Sequence, residues 1–241
     1  MINSKQIRWI EVNDYQEMSR QAASLFEQQL LRKPDSVLGL ATGGTPIGFY
    51  EELVRKYKQG AFSFSEVKTF NLDEYVGLAS NESTSYHNYM EENLFSQIDI
   101  SPDNIHLPNG LAKDLLAECA HYEQLIQQNG GIDLQLLGIG VNGHIGFNEP
   151  GTSFQSATHI VTLAEETRIE NSKYFHTKQE VPRYAITMGI ETIMQAKQIV
   201  LLAFGEHKVA SIKRIQQDGM SEDFPASCLK EHPNVTIIYG K

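Results

Sequence analysis

The residues best suited to chemistry lie in three short segments of the chain. In Asn142-Gly143-His144-Ile145-Gly146-Phe147-Asn148-Glu149, a histidine stands between an amide and a carboxylate in a glycine-punctuated loop. A histidine held by a carboxylate gives and takes a proton near neutral pH, and either Asn142 or Glu149 could orient the ring or tune its basicity. In Thr69-Phe70-Asn71-Leu72-Asp73-Glu74-Tyr75, adjacent acids end an apolar run. Pointing both into a core is costly, so one is expected to face a cleft. There it could remove a proton from a carbon beside a carbonyl or imine; a helix cap or an exposed loop acid reads the same way locally. In Ala41-Thr42-Gly43-Gly44-Thr45-Pro46, glycines let the backbone approach a ligand and a helix N-terminus supplies free N–H groups. With the hydroxyls of Thr42 and Thr45 this suits a phosphate monoester, although a plain strand–helix turn would look alike. No lysine follows Gly44 and the spacing is not GxGxxG, so neither nucleotide-binding loop fits.

Other chemistries lack their signatures. There is no GxSxG elbow for a serine hydrolase. His106, His121, His144, His159 and His176 have no metal-ligand spacing, so no metal is expected. Cys119 and Cys228 stand far apart and read as ordinary reduced residues. A phosphate site in an acidic chain needs cations, and the candidates are Lys208, just past a strand, with Arg168 and Lys173 on the helix that follows the histidine loop.

The elements that must position these residues follow from periodicity. Asp14 with Glu17 resembles a capping box and opens a helix to about Arg32, with Ala22, Leu25, Phe26 and Leu30 on its buried face. Apolar runs predict strands at Val37–Ala41, Val67–Leu72, Leu134–Ile139, His159–Leu163, Tyr184–Thr187, Ile199–Ala203 and Val235–Tyr239. Between them, helices are predicted from Pro46 to about Lys58 and at Tyr86–Phe95, Leu111–Gln128, Ala164–Phe175, Ile190–Ala196 and Glu206–Gln217. Alternating strands and helices imply an α/β fold: an open, largely parallel twisted sheet, Rossmann-like, with helices on both faces. Ligands of such sheets bind beyond the carboxyl ends of the strands, where all three segments fall.

The 241 residues suit a single catalytic domain spanning 1–241. The formal net charge of −10 disfavours nucleic acid and anionic membranes as partners. The N-terminus, with Lys5 and Arg8, lacks the apolar run of a signal peptide. No stretch approaches the roughly 18 apolar residues of a membrane span, so the cytoplasm is the expected compartment.

Read in order, these motifs resemble the glucosamine-6-phosphate deaminase family, the glucosamine/galactosamine-6-phosphate isomerases. The resemblance is carried by Thr42-Gly43-Gly44-Thr45-Pro46, Phe70-Asn71-Leu72-Asp73-Glu74-Tyr75-Val76-Gly77, and Gly143-His144-Ile145-Gly146-Phe147-Asn148-Glu149-Pro150. It continues through Thr167-Arg168, Val181-Pro182 and Ser227-Cys228-Leu229. It implies conversion of glucosamine 6-phosphate and water to fructose 6-phosphate and ammonia. It also implies roles: Asp73 as the base at C2, His144 as the ring-opening acid–base, and Glu149 as the carboxylate that holds and polarises the histidine. Thr42, Gly43, Gly44, Thr45 and Lys208 match the phosphate cradle, and residues 163–182 match a lid whose charged composition (Arg168, Lys173, Lys178) suits an exposed element. No organic cofactor or metal is implied, because the route needs only proton transfers. The expected partner is a small amino-sugar phosphate, bound by a monomer or small homo-oligomer.

The chain departs from the family pattern at three places. Asn142 stands where many members carry aspartate, Lys173 where arginine is common, and His159 and Val161 where longer members bind the activator N-acetylglucosamine 6-phosphate. The expectations are a shifted pH dependence, a phosphate contact without a bidentate fork, and no such activation. Galactosamine-6-phosphate isomerase, 6-phosphogluconolactonase and a non-catalytic sugar-phosphate sensor are the alternatives. Asn142→Asp should move the pH–rate profile of the reaction; an unmoved profile would remove Asn142 from the account.

Overall fold

Strands buried on both faces need continuous apolar runs, and the computed structural model, which describes residues 7–175, 177 and 180–241, places such runs at its centre. His176, Lys178 and Lys5 lie outside the described residues. The strands are β1 (Arg8–Glu11), β2 (Val37–Leu40), β3 (Lys68–Asn71), β4 (Asp73–Tyr75), β5 (Ile105–His106), β6 (Leu134–Leu137), β7 (His159–Thr162), β8 (Tyr184–Thr187), β9 (Ile199–Phe204) and β10 (Val235–Gly240). The α-helices are α1 (Tyr15–Arg32), α2 (Ile47–Lys58), α3 (Tyr86–Asn93), α4 (Leu115–Gln128), α5 (Glu165–Asn171), α6 (Ile190–Met194) and α7 (Val209–Gln217). Every residue of β2 and β6 is buried. No helix among the described residues is long and apolar enough to cross a membrane.

A seven-stranded sheet runs in the order β1-β10-β9-β6-β2-β3-β5, and all its neighbours are parallel. The open parallel α/β sheet expected from the sequence is therefore present. The runs at His159 and Tyr184 belong instead to a second, antiparallel sheet of order β4-β8-β7. This smaller sheet has its own apolar cluster of Tyr75, Phe147, Leu163 and Ala185.

Helix boundaries follow their caps. Asp14 accepts from the Glu17 N–H at 2.6 Å, but Glu17 returns its carboxylate to the Asn13 N–H at 2.8 Å, one residue upstream of a true capping box. Ala22, Phe26 and Leu30 are buried as expected. The helix predicted from Leu111 starts at Leu115, because the Asp114 carboxylate accepts from the N–H groups of Leu116 and Ala117 and ends the preceding loop. The predicted helix at Ala164–Phe175 is α5 followed by a 3-10 turn at Ser172–Tyr174. Likewise Glu206–Lys208 is a 3-10 turn leading into α7. Cys119 and Cys228 are buried free thiols.

One buried carboxylate ties the sheet together below the site. Asp133, just before β6, accepts from Lys33 Nζ at 2.5 Å, Lys197 Nζ at 2.7 Å and the Val37 N–H at 2.8 Å. Burial pushes its carboxyl up, but the hydrogen bonds from Lys197, Lys33 and Val37 and the Lys33 charge outweigh burial and hold it below the ordinary carboxylate value. A carboxyl depressed in the folded state contributes stability above its unfolded value and loses it as pH falls through the folded value. Asp133→Asn should therefore lower the unfolding free energy by about 1–3 kcal/mol at neutral pH. Urea titrations across pH should show the gap to wild type closing only below about pH 4.

Candidate active site

The consecutive strands β9, β6, β2 and β3 run parallel, so their carboxyl ends lie side by side. From these ends emerge Gly205–Lys208, the histidine loop, the Thr42–Pro46 turn and Asp73. The pair β2–β6 is also where the strand order reverses, the place at which open α/β sheets bind ligands. All three chemical segments thus converge on one edge.

At the end of β2, Gly43 has φ +103°, a conformation that favours glycine. Pro46 caps α2 without a side-chain hydrogen bond, so first-turn N–H groups remain for a ligand, apart from that of Gly48, which donates to the Tyr15 hydroxyl at 2.9 Å. Tyr89 donates to the Gly43 carbonyl at 2.6 Å and Tyr15 to the Thr45 carbonyl at 3.0 Å. These tyrosines hold the turn from outside. A cavity of about 600 Å³ opens over it, lined by Gly43, Gly44, Thr45, Lys173, Lys208 and His207, among others. Thr42 is turned to the Tyr86 hydroxyl, to which it is hydrogen-bonded. Thr42 is thus turned toward the tyrosine side of the turn, while Gly43, Gly44 and Thr45 line the cavity with Lys173 and Lys208. Arg168 is taken up by the Val181 carbonyl at 3.0 Å and by Glu165, so it braces its own segment.

Alternation along a strand puts neighbouring side chains on opposite faces, and this separates the acids of β4. Asp73 faces the histidine loop: a methyl group on Gly146 would come within 3.5 Å of Asp73 Oδ2 and 3.0 Å of Thr187 Oγ1. Glu74 points to α3. Asp73 is only 6% exposed, and burial first, then the Glu74 charge, push its carboxyl up to about 8. The sequence left open which acid turns toward the chemistry; Asp73 is the one beside the histidine loop, and Glu74 is the one bound to the first turn of α3.

In the histidine loop, the His144 ring lies over Gly140, where a methyl group would meet it at 2.3 Å. His144 Nδ1 is 3.5 Å from Glu149 Oε2, an ion-pair distance longer than a normal hydrogen bond. The sequence leaves either Asn142 or Glu149 to orient the ring. The Asn142 amide nitrogen donates to Glu149 Oε2 at 2.7 Å and its oxygen accepts from the His144 N–H at 3.1 Å. Asn142 thus fixes the loop backbone and the carboxylate, not the imidazole. Thr167, on α5, donates to Glu149 Oε1 at 2.5 Å. Burial pushes the Glu149 carboxyl up, but His144, Thr167 and Asn142 outweigh it and hold it down to about 2. Glu149 is a fixed negative charge at any working pH.

An aromatic wall joins the two ends of the site. Tyr75 and Tyr86 line the cavity, and the Asp73 charge raises both phenols in addition to their burial. Tyr86 stacks on Phe147 at 6.0 Å, and Tyr75 packs edge-on against Phe175 at 5.7 Å. Asn171 donates to the Tyr75 hydroxyl at 2.9 Å. Sequence reasoning missed Tyr75, Tyr86, Tyr89 and Thr167. The spacing of Tyr86 and Tyr89 on one face of a short helix was the available signal.

The family described as glucosamine-6-phosphate isomerases/6-phosphogluconolactonase matches residues 13–238. A glucosamine-6-phosphate deaminase from Lysinibacillus sphaericus is 59% identical over 97% of this chain and 99% of its own. One from Shouchella clausii is 55% identical over 95% and 93%. A solved structure described as a monomeric glucosamine-6-phosphate deaminase is 49% identical, with TM-score 0.96 over 98% of both chains. A 6-phosphogluconolactonase from Thermotoga maritima has TM-score 0.78 at 20% identity, covering 98% of this chain and 100% of its own, a likeness of fold alone.

The Thr167 contact makes a direct test of the electrostatics. Thr167→Val removes the shortest donor to Glu149, so the carboxyl should rise from about 2 toward the ordinary value of about 4. Carboxyl carbon NMR through an acid titration reads it, and an unmoved titration would show that α5 does not help hold this charge.

Proposed function

This chain belongs to the family of glucosamine-6-phosphate isomerases and 6-phosphogluconolactonases, and from that premise we propose how its site performs the deaminase reaction. It is an enzyme of amino-sugar breakdown that converts D-glucosamine 6-phosphate and water to D-fructose 6-phosphate and ammonia. The observation that carries the assignment of roles is the buried Asp73, set against the histidine loop and walled by tyrosines from the glycine turn.

The phosphate sits on the Gly43–Thr45 turn and the N–H groups of the first turn of α2, with Lys208 and Lys173 supplying positive charge at the cavity. Binding energy from this remote group holds the reacting carbons in place. His144 takes the proton of the C1 hydroxyl and delivers one to the ring oxygen, opening the pyranose. Glu149 stabilises the imidazolium that forms between these transfers, and Asn142 keeps Glu149 in place. Asp73 then removes the C2 proton and returns a proton to C1. The resulting C2 imine takes up water and releases ammonia. Residues 163–182 act as the lid: α5 reaches Glu149 through Thr167 and Tyr75 through Asn171, so closure and a competent histidine loop support one another.

The likeness to a deaminase described as monomeric supports a monomer, and a phosphorylated sugar substrate supports the cytoplasm as its compartment. Activation by N-acetylglucosamine 6-phosphate is not expected, since His159 and Val161 replace the basic residues that would bind it. Rate curves should be hyperbolic with or without that ligand.

Ammonia and ketose phosphate should be measured from glucosamine 6-phosphate and from its C4 epimer. Wild type should release both products in equal amounts from the first sugar and less from the epimer. Asp73→Asn should lose about 10²–10⁴-fold in kcat. The base must be ionised in the free enzyme, so kcat/KM should climb as pH rises toward about 8, and this limb should vanish in Asp73→Asn. No ketose phosphate from either sugar would overturn the assignment of roles and substrate.

A further inference from the structure

Glu74 is a buried acid that the reaction does not use directly. It is 4% exposed, yet its carboxylate is fully engaged by backbone donors. Oε1 accepts from the N–H groups of Tyr75 at 2.8 Å and Tyr86 at 3.0 Å, and Oε2 from the His87 N–H at 2.9 Å. Tyr86 and His87 open α3, which Ser85 caps by accepting from the Asn88 N–H. Ser85 thus takes a donor deeper in the first turn, while Glu74 takes the first ones. An acceptor-only group is what these donors require.

The consequence reaches both ends of the site. Tyr86 on α3 meets Thr42 and Tyr75, and Tyr89 on α3 donates to the Gly43 carbonyl. A carboxylate that anchors the first turn of α3 to β4 therefore sets where the phosphate turn lies relative to Asp73. We propose that Glu74 is a positioning residue for this reaction, linking the strand that carries the base to the helix that holds the phosphate turn and placing a second carboxyl group behind the base.

The geometry separates these effects cleanly. Glu74 lies on the far face of β4, so its charge acts on Asp73 through a single strand without touching the substrate. The titratable groups coupled to Asp73 are Glu74 and Tyr75 on its own strand, Tyr86 on α3 and Tyr122 on α4, and the loop that packs against it at Gly146 carries His144 and Glu149. The tyrosines are all raised by burial and are neutral in the working range. Glu149 is paired with His144. Glu74 is the carboxylate whose charge, after burial, raises Asp73. Burial also raises Glu74 itself, against the pull of the three N–H donors.

The proposal rests on Asp73 as the base, so the test carries Asp73→Asn as its reference. Glu74→Gln keeps the length of the side chain but removes its charge and sets an amide N–H₂ against a backbone donor. Glu74→Asp keeps the charge but is one methylene too short to reach α3. In Glu74→Gln the acid limb of kcat/KM should move to lower pH by about half a unit or more, with KM raised. In Glu74→Asp, KM and the inhibition constant of inorganic phosphate should rise roughly tenfold while the limb stays at the wild-type position. A Glu74→Gln enzyme that is merely less stable, with its limb unmoved, overturns the proposal. If that variant does not fold, Glu74→Asp decides alone: unchanged KM and phosphate inhibition overturn it. Full activity in Asp73→Asn would instead sink the assignment of the base.

Discussion

The site depends on one junction in the backbone. Leu72 donates its N–H to the Leu40 carbonyl of the parallel sheet at 3.0 Å, and its own carbonyl accepts from the Met188 N–H beside the small sheet at 2.7 Å. A single residue thus ends one ladder and begins another. Because buried backbone groups must be paired, the chain can leave the parallel sheet here only by entering a second set of partners. The antiparallel pairing of Asp73 with Thr187 supplies them. The next side chain is consequently pinned at the carboxyl edge of the main sheet, beside the histidine loop. Phe147 is held to the same strand by its N–H donation to Thr187 Oγ1 at 3.1 Å, and Asn148 by its amide donation to the Met188 carbonyl at 2.8 Å. Asp73 and the histidine loop are therefore registered against a common strand.

That placement gives two carboxylates opposite characters. Asp73 is buried and sits near another acid, so its proton is held up to about 8. Glu149 is partly buried but saturated with donors, so it stays ionised down to about 2. Environments that push like groups apart in this way mark a division between proton transfer and electrostatic support. The division does not come from residue type, since both are ordinary acids. It comes from where backbone alternation and loop hydrogen bonds put them.

Much of this was legible in the sequence, for identifiable reasons. Apolar runs too continuous for a half-exposed strand marked β2, β6 and β9, and polar glycine-rich segments immediately after them marked the ligand edge. The small sheet was not legible as separate, because His159–Thr162 and Tyr184–Thr187 carry the same local preferences as strands of a parallel sheet. Only their partners distinguish them. Tertiary contacts also hid the tyrosine wall: Tyr86 and Tyr89 read as core or surface until α3 is docked. Glu74 read as an alternative base because adjacent acids look equivalent before their faces are assigned. Thr42 read together with its neighbours in the glycine turn, and only the docked α3 shows that its side chain meets Tyr86.

Asn142 is best understood from the same constraints. Its amide donates to an oxygen that already lies 3.5 Å from the His144 ring. A neutral donor at this point stabilises the charge on Glu149 and leaves it available to the imidazolium. A carboxylate there would set two anions 2.7 Å apart, and one of them would have to hold a proton or draw a cation to remain. Asn142 also accepts from the His144 N–H, so the residue that protects the charge also fixes the backbone that carries the ring. The departure at this position is therefore consistent with a relay reduced to one permanent anion, Glu149, in which orientation comes from the loop backbone and the ring's seat over Gly140.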